Sequence, residues 1–202
     1  MDQDLILKMS NIDQYYNGKK TKLMLYSYNK SLDDIKLSDS LEEIFFGNIF
    51  NQSIDNVKLP NKLKNIVFGD NFNQSIDNVT FPDSIESFSL GNQFNQLIDN
   101  IKLPYNLKNI VFGNNFNQSL QNVTFPNNMI SISFGNEFNQ SVDNINLPHS
   151  LQSIILGSKF TQSINNLPIS LKEITLTNIN LINQIKLPFN CVVYDHLKTK
   201  II

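Results

Sequence analysis

Arginine, alanine and tryptophan are absent from this chain, and cysteine occurs once, at Cys191. A lone thiol excludes an intrachain disulfide, so nothing in the cysteine usage points to an oxidising compartment. The two histidines, His149 and His196, stand apart at unrelated positions without the spacing of metal ligands. Charge of one sign is missing too: 16 lysines face 18 acidic residues, for a formal net charge of -2. No broad field is available to attract nucleic acid or anionic lipid, and neither is expected as a partner. Lys19, Lys20 and Lys22 form the only tight basic group and read as a solvated segment. Leu5-Ile6-Leu7 is too short for a signal segment or a membrane span. A cytoplasmic location is the default.

What is present is repetition. Phe50-Asn51-Gln52-Ser53 returns 22 residues on at Phe72, Phe94, Phe116 and Phe138, and fades at Phe160-Thr161-Gln162-Ser163. A period of this length marks a solenoid, in which each coil buries its apolar side only against its neighbours. Gly47, Gly69, Gly91, Gly113, Gly135 and Gly157 keep the same register, and the seven prolines from Pro60 to Pro188 mark one coil each, with the last two spaced at 20 residues. Glycine permits positive φ and proline restricts φ, so the two corners of each coil are assigned to them.

Between the corners lies an alternating segment: Ile44/Phe46, Ile66/Phe68, Phe88/Leu90, Ile110/Phe112, Ile132/Phe134, Ile154/Leu156 and Ile174/Leu176. A period of two predicts a strand with one buried face, and the coils together predict one parallel sheet. The spacing recurs in the other half of the coil, as in Ile54-x-x-Val57-x-Leu59, which allows a second short strand on the opposite wall. The fold class is therefore mainly β, a leucine-rich-repeat-like solenoid of 22-residue coils with a parallel sheet. The phenylalanines are expected to stack in a column and the asparagines after them to form a ladder of side-chain amides. Asn29, Asn51, Asn73, Asn78, Asn117, Asn122 and Asn139 also open N-x-[ST] sequons, and inward-facing ladder positions would leave no room for glycans.

The division is residues 1–27 as N-terminal cap, 28–188 as seven to eight coils and 189–202 as C-terminal cap and tail. Two residues are missing between Phe160 and Pro168, and Thr177 stands where glycine is due, as terminal repeats often depart from consensus. Cys191, three residues after Pro188, falls at a core position of this last unit.

At these motifs the chain resembles the FNIP-repeat family, relatives of leucine-rich repeats found in social amoebae and in giant viruses of amoebae. Gln-Ser stands where the family name has Ile-Pro, a variant that looks like the viral branch. A viral origin would place the protein in the host cytoplasm. Members often carry an F-box ahead of the repeats, which implies substrate recognition for a ubiquitin ligase. Residues 1–27 are too few for that module.

No catalytic constellation is evident, and no cofactor or metal is expected. Asp55, Asp77, Asp99 and Asp143 form a column that reads as solvated turn residues with Asx bonding. What remains is a surface. One outward strand column reads Phe45, Val67, Ser89, Val111, Ser133, Ile155, Thr175, and its neighbour includes Glu43, Asn65, Asn109 and Glu173. Beside them Glu42, Lys64, Glu86 and Lys108 alternate in sign. The leading expectation is a non-catalytic protein–protein interaction module with a protein partner that the sequence does not identify. A structural protein that self-associates through coil ends is the alternative, and a glycan-acting β-solenoid enzyme a remote one. Oligomeric state is left open.

Overall fold

A computed structural model describes residues 12–202; residues 1–11 of the expected N-terminal cap, including Leu5-Ile6-Leu7, lie outside the described residues. Nine strands form one parallel sheet in sequence order: β1 (Lys22–Leu25), β2 (Glu43–Phe46), β3 (Asn65–Val67), β4 (Ser87–Ser89), β5 (Asn109–Val111), β6 (Ser131–Ser133), β7 (Ser153–Leu156), β8 (Glu173–Leu176) and β9 (Val192–Asp195). The segments expected as caps thus each contribute a strand. Two short 3-10 helices, Asp13–Tyr15 and Ile179–Gln184, lie among the described residues. No helix among them is long and apolar enough to cross a membrane.

Register follows the repeat. Ile44 pairs with Ile66, Ile66 with Phe88, and the column continues through Ile110, Ile132, Ile154, Ile174 and Val193, all buried. Phe50, Phe72, Phe94, Phe116, Phe138 and Phe160 are fully buried and stack coil on coil. These rings hold equal places in successive coils, so their separation of 6.1 to 6.2 Å measures the local coil spacing. On the sheet wall Phe46 and Phe68 are 4.8 Å apart and Phe112 and Phe134 5.3 Å, near the spacing of hydrogen-bonded strands. The coils therefore fan apart away from the sheet, which lies on the inner side of the curve.

The glycine expectation needs correction in its reason. No described glycine has positive φ. A Cβ at Gly91 would instead run into the carbonyl of Gly69, and Gly113, Gly135 and Gly157 stand in the same relation to the glycine one coil before. Glycine is required by the close approach of backbones at that corner, where no side chain fits between coils.

The second strand does not form either. The outer wall is a chain of turns, with Val57 N–H donating to the Ile54 carbonyl at 3.0 Å and Val123 to Leu120 at 3.1 Å. Outside the sheet the only parallel bridge among the described residues is Ile164 with Ile185. Main-chain bonds between coils continue past the glycine corner, as from Asn71 N–H to the Asn48 carbonyl at 3.0 Å, but beyond it the phenylalanine rings are 6.2 Å apart, wider than the about 4.8 Å of a strand ladder.

Both sheet edges are covered. Tyr16 bridges Leu23 in antiparallel sense outside β1. After β9 the chain turns back, and Ile201 N–H donates to the Val193 carbonyl at 2.8 Å while Asp195 N–H donates to Thr199 at 3.0 Å. Cys191 is buried in the last coil as expected, and burial raises its thiol pKa. Thr177 ends the glycine column, and the 3-10 turn after it buries Leu181.

Candidate interaction face

The inner wall presents the residues anticipated from alternation. Pairing is direct along the first column, Phe45 to Val67, Ser89, Val111, Ser133, Ile155 and Thr175, and along the second, Glu43 to Asn65, Ser87, Asn109, Ser131, Ser153 and Glu173. Their side chains share one sheet face because every strand alternates in the same register. Most are half-buried, and Val111 is 40% exposed.

Thr175 is an exception that corrects the expected face. It is only 4% exposed, because Lys198 from the C-terminal turn lies over it and donates from Nζ to Thr175 Oγ1 at 3.1 Å. The charged ends are also engaged within the chain. Lys22 Nζ lies 3.0 Å from Glu43 Oε2, and Ser153 Oγ donates to Glu173 Oε1 at 2.7 Å. Ser131 Oγ donates to Asn109 Oδ1 at 2.7 Å. What is left open is the neutral centre, where Val67, Val111 and Ile155 alternate with Ser89 and Ser133.

The bordering charge column behaves as its alternation predicts. Lys64 sits 3.2 Å from Glu42, and Lys108 2.7 Å from Glu86. The hydrogen bond and charge of Lys108, helped by Lys64, hold the Glu86 carboxyl below its ordinary value. In the next coils Lys172 donates to Gln152 at 2.9 Å instead.

The tetrapeptide is scaffold, with a division of labour. Each asparagine Oδ1 accepts two bonds from the next coil: Asn51 accepts from Asn73 N–H at 2.9 Å and from Gln74 Nε2 at 3.1 Å, and the pattern repeats from Asn29 through Asn139. The serine closes the following turn, Ser53 Oγ accepting from Asp55 N–H at 3.1 Å and Ser75 Oγ from Asp77 N–H at 3.2 Å. Serine thus takes the role expected of aspartate. The ladder sequons at Asn51, Asn73, Asn117 and Asn139 are half-buried, whereas Asn29, Asn78 and Asn122 are exposed, so inward packing accounts for only some of them.

The aspartates are not simply solvated: one carboxylate oxygen in each of Asp55, Asp77 and Asp99 is buried without a hydrogen-bond partner. Asp143 differs. Burial raises its pKa, but bonds from Asn165 N–H at 2.6 Å, Asn165 Nδ2 and Ser163 Oγ outweigh this and leave it below the ordinary value. Among the described residues no group of His, Cys, Asp and Glu is placed to hold a metal ion.

Sequence reading passed over one column: Asn56, Asn78, Asn100, Asn122, Asn144 and Asn166, all exposed on the outer wall. Its signal was available, since an exposed position that never varies over six coils is unusual beside neighbours that do. Shallow clefts of 470 to 680 Å³ open between coils along this wall, lined in part by Asn56, Asn100, Asn144 and Asn166.

A curved parallel sheet with one short strand per 22-residue coil defines a leucine-rich-repeat-like solenoid. The FNIP Repeat profile matches residues 50–93, 94–137, 116–159 and 138–179, and the chain belongs to that family. Its fold is similar to that of CroV588 from a giant virus, whose crystal structure is described as a novel circular LRR protein structure. The two share 35% identity with a TM-score of 0.72 over 84% of this chain, which spans 26% of that protein's length. The pneumococcal vaccine antigen PcpA aligns at 16% identity and a TM-score of 0.32, over 88% of this chain and 45% of its own, and adds nothing to the assignment. No curated protein matches.

Proposed function

We infer that the protein is a non-catalytic interaction module that docks a protein partner on the inner face of its sheet. The observation that carries this reading is the neutral strip of Val67, Val111 and Ile155 set among Ser89, Ser133, Asn65 and Asn109. Charges at its margins are already paired within the chain, so the strip is desolvated at little electrostatic cost. Interface centres elsewhere combine low charge with apolar contact in this way. FNIP and leucine-rich-repeat proteins are in general non-enzymatic, which agrees with the reading.

Self-association through the sheet edges has less support, because both edges are covered by antiparallel segments. The deciding experiment replaces Val67, Val111 and Ile155 together with lysine and compares co-purifying proteins from the cell in which the protein is naturally made. Loss of a specific partner supports the inner face; an unchanged set removes it.

A further inference from the structure

The outer wall carries a second regular feature that the inner-face reading does not use. Asn56, Asn78, Asn100, Asn122, Asn144 and Asn166 occupy one position in six successive coils, and all are exposed. Flanking positions drift: the residue before reads Asp55, Asp77, Asp99, Gln121, Asp143, Asn165, and two residues after come Lys58, Thr80, Lys102, Thr124, Asn146.

Backbone conformation does not demand asparagine here. None of the six has positive φ, and the turn is closed by main-chain bonds such as Val79 N–H to Ile76 at 3.3 Å, a turn geometry open to most residue types. Nor does side-chain bonding demand it throughout. Asn122 Nδ2 donates to Asp99 and Asn166 Nδ2 to the Asp143 carbonyl, but the side chains of Asn56, Asn78, Asn100 and Asn144 make no hydrogen bond to any of the described residues. A row of exposed amides therefore keeps donors and acceptors turned to the surroundings.

The spacing of that row has a physical counterpart. Coils are 6.1 to 6.2 Å apart at the phenylalanine column and fan outward from the sheet. An extended peptide advances about 6.7 Å for every two residues. An asparagine side chain offers one acceptor and two donors, the complement of one backbone N–H and one C=O. Clefts between coils, floored by the half-buried Leu59, Ile101, Leu147 and Leu167, lie where intervening side chains would point.

We propose that the asparagine row from Asn56 to Asn166 is a binding site for an extended peptide segment of a protein partner. The segment runs along the solenoid axis, each asparagine amide pairs with the main chain of every second residue, and apolar side chains between them enter the clefts. Affinity comes from the main chain and selectivity from the clefts, as in other modes of extended-peptide recognition.

The test uses the whole chain and a library of random phage-displayed dodecapeptides, followed by synthesis of a selected peptide as the probe. Asn78→Ala together with Asn100→Ala is expected to weaken that probe by about tenfold or more, while the unfolding temperature moves by no more than about 2 °C. N-methylation of alternate backbone amides in the probe should abolish binding in one register and spare it in the other. The proposal is overturned if no selected peptide binds more tightly than about 1 mM, or if the probe binds the double variant as well as the parent. It is equally overturned if binding responds to Val67→Lys, Val111→Lys and Ile155→Lys instead, which would assign the peptide to the inner face.

Discussion

Asn73 and Asn95, one coil apart, are joined by a bond in which Asn95 N–H donates to Asn73 Oδ1 at 2.9 Å, and Gln96 Nε2 donates to the same oxygen at 3.1 Å. One side-chain oxygen thereby satisfies the Asn95 backbone donor and shares the Gln96 amide with the Asn73 carbonyl, which accepts from it at 3.1 Å. It replaces the sheet ladder on a wall where strands cannot pair.

Asn73→Ala should accordingly cost about 1–3 kcal/mol, because it leaves the Asn95 N–H without its acceptor, while Gln96 Nε2 keeps only the Asn73 carbonyl. Asn73→Asp keeps the oxygen and should cost less. Urea unfolding of the two variants side by side checks this; equal loss would show that the acceptor is not what matters.

Gly91→Ala should destabilise by about 3 kcal/mol or more, at or beyond the upper end of overpacking costs, since the carbonyl in its way is backbone and has no rotamer to move to. Gly18, with nothing within 4 Å of an added Cβ, is the matched control, and Gly18→Ala should change stability by no more than about 0.5 kcal/mol. Thermal unfolding of both decides whether close approach explains the column.

The depressed pKa of Glu86 implies acid sensitivity of defined sign. Lys108 favours the ionised carboxylate in the folded chain, so this contribution is present above the unfolded-state pKa and is lost as pH falls through the lower folded value. Lys108→Gln should lower stability slightly at neutral pH and flatten its fall on acidification. High salt should mimic the substitution, because the pair is exposed. Chemical denaturation from neutral to acidic pH, with and without salt, provides the measurement.

Removing the last strand cover should create a sticky edge. Without residues 198–202, the Val193 and Asp195 donors and the Val193 carbonyl lose their partners, and an open parallel edge invites pairing with another molecule. Light scattering over a concentration series should show association in the truncated chain and none in the parent. A truncated chain that is folded and strictly monomeric would mean that the hairpin is not a guard.

Much of the scaffold was legible because solenoid coils repeat their chemistry. The period placed Ile66, Phe88 and Ile110 on one buried line and Val67, Ser89 and Val111 on the opposite face, and both assignments hold. The alternation of Glu42, Lys64, Glu86 and Lys108 was likewise a correct guide to pairing. Thr175 was misjudged because the residue that covers it, Lys198, lies outside the repeat and reaches it only after the chain reverses. Local alternation carries no record of such a contact.

Sequence alone therefore determined the period, the inward and outward faces and the direction of stacking, because each depends on residues at fixed separation. The tertiary structure decided the curvature, and curvature decided the rest. With coils near 5 Å apart at the sheet and about 6 Å apart at the phenylalanines, strands pair only on the inner wall, amide bonds bridge the outer one, and glycine is needed where backbones close in. None of these follows from composition or spacing along the chain, since each depends on how far apart two coils come to rest.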